Sequence, residues 1–144
     1  MIREIQADET ALAYEAMLAL RTHLADEQEF VERVNDVQRR EGYRLVGAFD
    51  GDRVVGVAGF RVGHNLAWGK FLYVDDLSTL PEARRKGYAS ALLDWCAEEA
   101  ERLGCDQLHL DSGVGIERAD AHRLYLQKRM VISSHHFARL VDRG

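Results

Sequence analysis

One short segment of the sequence combines residue types and a spacing suited to binding a phosphate. It lies between a predicted strand and the N-terminus of a predicted helix, where free backbone N–H groups and the positive end of the helix dipole favour an anion. A glycine in the middle permits a left-handed backbone and a close approach of a ligand. Three basic residues, the glycine and small residues follow one another there: Arg84, Arg85, Lys86, Gly87, Tyr88, Ala89 and Ser90.

Two common phosphate-binding motifs do not fit this segment. No Gly-Lys-Ser/Thr sequence follows Gly87, so the segment is not a Walker P-loop. It has only one of the three glycines of a dinucleotide-binding fingerprint. Two alternatives stay open at this point: a solvated run of charge, and a nucleotide- or phosphate-binding module that shares the junction of strand, loop and helix.

Two adjacent carboxylates, Asp75 and Asp76, lie inside the strand that precedes the segment. Neighbouring residues of a strand point to opposite faces unless a bulge intervenes, so one of the two is expected to face a bound substrate, where it can take up a proton. A surface salt bridge explains the pair equally well. We take Asp76 as the candidate general base, with a water chain and no dedicated base as the alternative.

The spacing of apolar residues predicts the elements that position these residues, in the order β-α-α-β-β-β-α-β-α-β. Alternation predicts strands over 1–6, 43–49, 53–62, 68–79, 105–111 and 130–141. Helical spacing predicts a helix capped by Asp8 and helices over 26–40, 89–103 and 120–128, with turns at 50–52 and 63–65. We therefore expect an α/β fold with a mixed, mostly antiparallel central sheet flanked by helices.

Composition excludes several classes of protein. The 144 residues carry a net charge of −5 and are 47% hydrophobic, which argues against a nucleic-acid binder and against disorder. No apolar stretch is long enough to span a bilayer, and the N-terminus lacks the apolar region of a signal peptide. Cys96 and Cys105 are too few for a disulfide framework. We expect one cytoplasmic domain over 1–144 that binds neither nucleic acid nor membrane.

The basic segment and its surroundings resemble motif A of the GCN5-related N-acetyltransferases (GNAT). The family pattern Arg/Gln-x-x-Gly-x-Gly/Ala matches Arg84 to Ala89, between the strand 73–79 and a helix that continues with 91–93. A second match lies 36 residues after Ala89, where 121–125 is similar to the family's C-terminal helix with its tyrosine, Tyr125. The predicted order of elements also matches the family fold nearly end to end.

The resemblance implies acetyl-CoA-dependent transfer of an acetyl group to an amine by direct attack, with no metal required. Backbone groups of Leu77, Ser78 and Thr79 would bind the pantetheine arm, and the amides from Arg85 to Ser90 the pyrophosphate. Tyr125 would protonate the departing thiolate, because a phenol with a pKa of about 10 is protonated at neutral pH.

Some residues depart from the family pattern. Arg118 stands where members often carry asparagine, and Lys128-Arg129-Met130 where they often carry Leu-Gly-Phe. The segment from Asp120 through His135 and His136 is similar to the branch that contains aminoalkylphosphonate N-acetyltransferases. That branch acetylates small anionic amines.

The acceptor is left open by the sequence. We expect the primary amine of a small molecule; the alternatives are a protein N-terminus or lysine, or a non-catalytic acyl-CoA sensor. The sensor ranks lower, because Tyr125 is present. The oligomeric state is also open, with a homodimer as one alternative.

Overall fold

The computed structural model describes residues 1–144 and contains a five-stranded sheet in the order β1-β2-β3-β4-β5. Neighbouring strands are antiparallel, except that β4 and β5 are parallel. The prediction of a mixed, mostly antiparallel sheet flanked by helices is confirmed. The strands are β1 (Ile2–Ile5), β2 (Arg44–Asp50), β3 (Arg53–Asn65), β4 (Gly69–Thr79) and β5 (Gln107–Leu110).

Four α-helices accompany the sheet, and short 3₁₀ or π-helical turns adjoin three of them, including a 3₁₀ turn over Ile116–Arg118 directly before the fourth. Asp26 caps the second helix by accepting a hydrogen bond from the Glu29 N–H at 2.8 Å. The helices are α1 (Tyr14–Leu18), which follows a 3₁₀ helix over Ala7–Ala13; α2 (Glu27–Arg33), which continues as a π-helix over Val34–Gln38 and a 3₁₀ turn over Arg39–Glu41; α3 (Tyr88–Arg102); and α4 (Ala119–Gln127).

Two local predictions are wrong. Asp8 caps no helix; the cap is Gln6, whose N–H donates to the Glu9 carboxylate at 3.2 Å. The turn predicted at 63–65 lies within β3, and the chain reverses at 66–68 instead. The side chain of Asn65 closes that turn by accepting a hydrogen bond from the Trp68 N–H at 2.6 Å.

The strand predicted over 130–141 is absent. After α4, Arg129 adopts a left-handed conformation with φ 67°, and the N–H of Met130 bonds back to the Tyr125 carbonyl at 3.0 Å. The apolar residues that suggested a strand, among them Val131 and Phe137, are exposed. Their alternation in the sequence therefore does not correspond to a buried face.

The two faces of the sheet are covered by different helices. Gly56 on β3 faces α3, where a Cβ would come within 3.2 Å of the Leu92 side chain. The next pair in the register, Val57 and Ser78, faces the other way, and the Ser78 hydroxyl donates to the Ala16 carbonyl of α1 at 2.7 Å. The core between these layers includes the buried side chains of Phe60 and Leu72.

The chain divides into two compact units, Met1–Leu110 and Asp111–Gly144. The first contains the sheet with α1, α2 and α3, and the second contains α4. No helix is long and apolar enough to cross a membrane. That the whole chain acts as one N-acetyltransferase domain stays a prediction.

Candidate active site

The strand β4 has a free edge over its last residues. Its pairing with β5 covers only Phe71–Val74, whereas its pairing with β3 continues to Thr79. The backbone of Asp75 to Thr79 therefore has no strand partner on the β5 side. This stretch contains the predicted pantetheine-binding residues Leu77, Ser78 and Thr79, and an extended ligand can hydrogen-bond to such an edge.

The free edge leads to the start of α3, where several backbone donors have no acceptor. Gly87 is the cap residue, in the left-handed conformation with φ 85°, and no side chain caps the helix. The first N–H to bond back is that of Ala91, to the Gly87 carbonyl at 3.0 Å. The N–H groups of Tyr88, Ala89 and Ser90 are consequently available to an anion.

Positive side chains surround this helix start. Arg84, Arg85 and Lys86 are exposed, and their side chains form no hydrogen bond or ion pair. Arg85 also has a left-handed backbone with φ 64°. A Cβ at Gly87 would touch no protein atom, so the glycine is needed here for its positive φ. The open space beside it is accessible to a ligand. Cations and unsatisfied N–H groups together fit a phosphate-bearing ligand.

A β-bulge separates the two carboxylates on β4. Gly59 pairs with Asp76 and Phe60 with Val74, which leaves Asp75 as the extra residue. The Asp75 carboxylate contacts the Arg61 guanidinium at 3.0 Å, so the ion pair that the sequence offered as an alternative exists for this residue. Burial raises the pKa of Asp75, and the hydrogen bond from Arg61 opposes that rise.

Asp76 receives two short hydrogen bonds. The Tyr43 hydroxyl donates to Oδ2 at 2.6 Å, and Arg21 Nε donates to Oδ1 at 2.8 Å. The same guanidinium donates to the Asp75 carbonyl at 2.9 Å. Each carboxylate oxygen keeps a lone pair that can accept a further proton donor.

Tyr43 reaches Asp76 only because residue 59 is glycine. A Cβ on Gly59 would overlap the Tyr43 hydroxyl and the end of its ring. Tyr43 is buried, with 5% of its surface exposed. Burial and the neighbouring Asp76 charge raise the pKa of Tyr43 well above its ordinary value, so the hydroxyl stays a hydrogen-bond donor.

A cavity of about 230 Å³ opens beside Asp76. Its wall is formed by α1 and the chain that follows it, and by α2 with its π-helical extension. The residue before β2 and the bulged part of β4 complete the wall. The lining residues are Met17, Arg21, His23, Leu24, Phe30, Arg33, Val34, Gln38, Tyr43 and Asp76. Asp76 is the only carboxylate among them.

Tyr125 lies on α4 in the second unit. Burial raises the pKa of Tyr125, while the positive charge of Arg118 opposes the rise. The Ser112 hydroxyl is buried and has no hydrogen-bond partner. A phenol in these surroundings is protonated at neutral pH, as a proton donor must be.

The structure brings together most of the residues singled out from the sequence and adds others. Asp76, Leu77, Ser78 and Thr79 share one edge, which runs towards the loop and the start of α3. Tyr43 and Arg21 were missed, since their contacts with Asp76 span 33 and 55 positions. No group of three or more His, Cys, Asp or Glu residues could hold a metal ion.

Known proteins resemble this chain in sequence and in fold. Residues 6–130 match the model of the acetyltransferase (GNAT) family. The uncharacterized N-acetyltransferase YhdJ of Bacillus subtilis (strain 168) is 31% identical over 121 residues, 84% of this chain and 83% of that protein.

Solved structures share the fold at low identity. A transcriptional regulator from Bacillus halodurans C-125 has a TM-score of 0.83 at 20% identity, covering 98% of this chain and 99% of that one. The aminoglycoside N-acetyltransferase AAC(6')-Iy, solved in complex with CoA, has a TM-score of 0.80 at 13% identity, covering 100% and 95%. The family match and the YhdJ relative show that this chain belongs to the GNAT family and is an N-acetyltransferase.

Proposed function

We propose that the acyl donor is acetyl-CoA, bound along the free edge of β4 and at the start of α3. The observation that carries this proposal is the continuity of the two features. A backbone edge without a strand partner, Asp75 to Thr79, is followed within one short loop by three unsatisfied N–H groups at Tyr88 to Ser90. An extended arm that ends in a pyrophosphate fits both features: the arm lies along the strand edge, and the pyrophosphate accepts from the N–H groups.

Each residue of the loop has a distinct role in this proposal. The N–H groups bind the pyrophosphate oxygens, because the helix dipole and the orphan donors act together there. Arg84, Arg85 and Lys86 add positive charge in a chain whose net charge is −5. Gly87 supplies the left-handed turn that starts the helix with its N–H groups free.

In the proposed reaction, the acceptor amine attacks the thioester carbon directly. A C–N bond forms and the C–S bond breaks; the ammonium proton leaves through Asp76, directly or through water, and Tyr125 gives a proton to the thiolate sulfur. The hydrogen bonds from Tyr43 and Arg21 hold Asp76 in place. Positioning by such short bonds lowers the entropic cost of reaching the reactive geometry.

We propose a primary amine of a small molecule as the acceptor. The cavity beside Asp76 holds roughly the volume of eight water molecules, which suits a metabolite. A protein N-terminus or lysine is the alternative acceptor. The branch resemblance predicts aminoalkylphosphonates as one group of acceptors.

The two free cysteines, Cys96 and Cys105, are typical of a protein in a reducing compartment, so the proposed location is the cytoplasm.

Release of free thiol from acetyl-CoA in the presence of a panel of small amines tests this proposal. We expect amine-dependent release by the wild-type protein, with an acetylated amine identified by mass. Asp76→Asn should retain acetyl-CoA binding and lose most of the transfer rate. Transfer to peptides but to no small amine would contradict the proposed acceptor, and transfer by Asp76→Asn at the wild-type rate would show that Asp76 is not the base.

A further inference from the structure

The guanidinium of Arg21 lies at the end of the cavity where the proposed acceptor amine reacts. Its Nε donates to Asp76 Oδ1 at 2.8 Å, and its Nη2 donates to the Asp75 carbonyl at 2.9 Å. Arg21 and Asp76 both line the cavity. A carboxylate and a backbone carbonyl therefore accept from one guanidinium, and they lie close enough together to share a single cationic group.

The two acceptors that hold Arg21 also suit a primary ammonium. An ammonium group carries three N–H donors and no acceptor, so it can donate to a carboxylate and to a carbonyl at once. The neighbouring carboxylate of Asp75 does not compete, because it is paired with the Arg61 guanidinium at 3.0 Å. Asp76 Oδ1 and the Asp75 carbonyl thus form a binding position for one cation, and Arg21 fills it.

The two side chains that bind Asp76 differ in how freely they can leave it. Tyr43 is buried, and its hydroxyl donates to the other carboxylate oxygen, Oδ2, at 2.6 Å. The side chain of Arg21 is 43% exposed, against 12% for that of Asp76. An ion pair with an exposed partner contributes little to stability, because solvent screens it and the long side chain loses rotamer freedom. Arg21 can therefore leave at small cost, while Tyr43 stays.

Arg21 and a substrate ammonium exclude each other at Asp76. Bound together, they would place two positive charges side by side on one carboxylate, and like charges at such short range repel each other. Asp76 is the only carboxylate among the lining residues, so no second negative charge in the lining offsets that repulsion. A bound ammonium must therefore replace the guanidinium.

We propose that Arg21 is a displaceable placeholder, whose guanidinium occupies the position of the acceptor ammonium and moves into solvent when the acceptor binds. The ammonium then donates to Asp76 Oδ1 and to the Asp75 carbonyl, and Tyr43 alone holds Oδ2. This role of Arg21 rests on the proposed function, which places the acceptor at Asp76. It makes acceptor binding a competition within the protein, so the apparent affinity falls with the fraction of molecules in which Arg21 has left.

Binding of a plain amine tests the proposal without acetyl-CoA and without catalysis. Two-dimensional NMR titrations of the 144-residue chain measure the affinity for propylamine in the wild type, in Arg21→Met and in Arg33→Met. Methionine has no donor and no charge. If Arg21 fills the position in about nine molecules of ten, Arg21→Met should bind propylamine about tenfold more tightly. Arg33 lines the same cavity but pairs with Glu29, so Arg33→Met should gain much less.

Two further readouts separate replacement of Arg21 from a general effect of charge. Propyltrimethylammonium carries the charge of propylammonium without its N–H donors, so it should bind more weakly than propylamine to all three proteins. In the wild type, the Arg21 Nε–H resonance should shift when propylamine is added, because the guanidinium loses its carboxylate acceptor. The resonance of Arg40, which is exposed and does not line the cavity, should stay in place.

The outcomes separate this inference from the proposed function. Equal gains in Arg21→Met and Arg33→Met overturn it, as does an Arg21 Nε–H resonance that does not move while propylamine binds. Binding of propyltrimethylammonium as tight as that of propylamine, weaker binding of propylamine by Arg21→Met, or no binding of propylamine by any of the three proteins also overturns it. A protein that exchanges Arg21 for propylamine but never binds acetyl-CoA contradicts the proposed function alone.

Discussion

At the scale of single residues, the candidate site depends on how burial and neighbouring charge keep certain groups protonated. Burial raises the pKa of both Tyr43 and Tyr125. Both phenols are therefore hydrogen-bond donors at neutral pH, one to a carboxylate and the other, in our proposal, to a thiolate. Their roles differ because Tyr43 already has an acceptor at 2.6 Å.

Tyr125→Phe removes the hydroxyl group that is the proposed proton donor and leaves the aromatic ring in place. We expect the transfer rate to fall by about 100-fold, within the usual contribution of general acid catalysis, while acetyl-CoA affinity changes little. Thiol-release kinetics and calorimetry measure the two quantities. Tyr14→Phe, on α1, is the matched control and should transfer at the wild-type rate. An unaffected rate in Tyr125→Phe would remove the assigned role.

Gly59→Ala tests the close approach of Tyr43 to the bulge. The new Cβ would overlap the Tyr43 hydroxyl. We therefore expect the free energy of unfolding to fall by about 1–3 kcal/mol, the usual cost of overpacking a core. Urea denaturation measures the change. Combined with Tyr43→Ala, the substitution should cost less than the sum of the two single changes. Strict additivity would mean that the two residues do not compete for the same space.

At the scale of elements, two contacts of α3 matter: its N-terminus faces the proposed ligand, and one of its side chains ties it to the sheet. The buried Glu99 carboxylate contacts Arg44 on β2 at 2.6 Å and Arg102 at 2.6 Å. Arg44 also contacts Glu4 on β1 at 2.7 Å. This network joins the helix to two strands on the side away from the cavity.

The start of α3 predicts how acetyl-CoA affinity depends on charge. Arg84→Ala combined with Lys86→Ala should weaken acetyl-CoA binding about tenfold, and less at high salt, because exposed charges are screened there. Calorimetry at two salt concentrations measures this. Arg40→Ala removes an exposed cation elsewhere and should leave the affinity unchanged. An unaltered affinity in the double variant would contradict the phosphate-binding role of the loop.

Glu99 makes stability depend on pH in the acid range. Hydrogen bonds from Arg102 and Arg44 lower the pKa of Glu99 from 4.5 to about 2. A lowered pKa in the folded state adds stability above the unfolded-state pKa, and that stability is lost as the pH falls towards the folded-state value. Between about pH 4.5 and 2, the free energy of unfolding should fall more steeply for the wild type than for Glu99→Gln. Parallel curves would contradict this linkage.

At the scale of the whole molecule, the sequence predicts the sheet and the loop before α3 better than the cavity beside Asp76. The Gly51 turn and the Gly87 junction are local signals, carried by a few adjacent residues with positive φ. The cavity joins Arg21, Tyr43 and Asp76 across the chain, and no local pattern records such contacts. The predicted last strand failed because alternation alone does not show whether a segment such as 130–141 finds a partner.

Acetyl-transfer activity depends first on whether the free edge of β4 and the start of α3 bind their proposed ligand. The most direct measurement is a calorimetric titration of the 144-residue chain with acetyl-CoA, with ATP as the control ligand. We predict micromolar binding of acetyl-CoA and no comparable binding of ATP. Absence of acetyl-CoA binding, or equal binding of ATP, would contradict the account of this site.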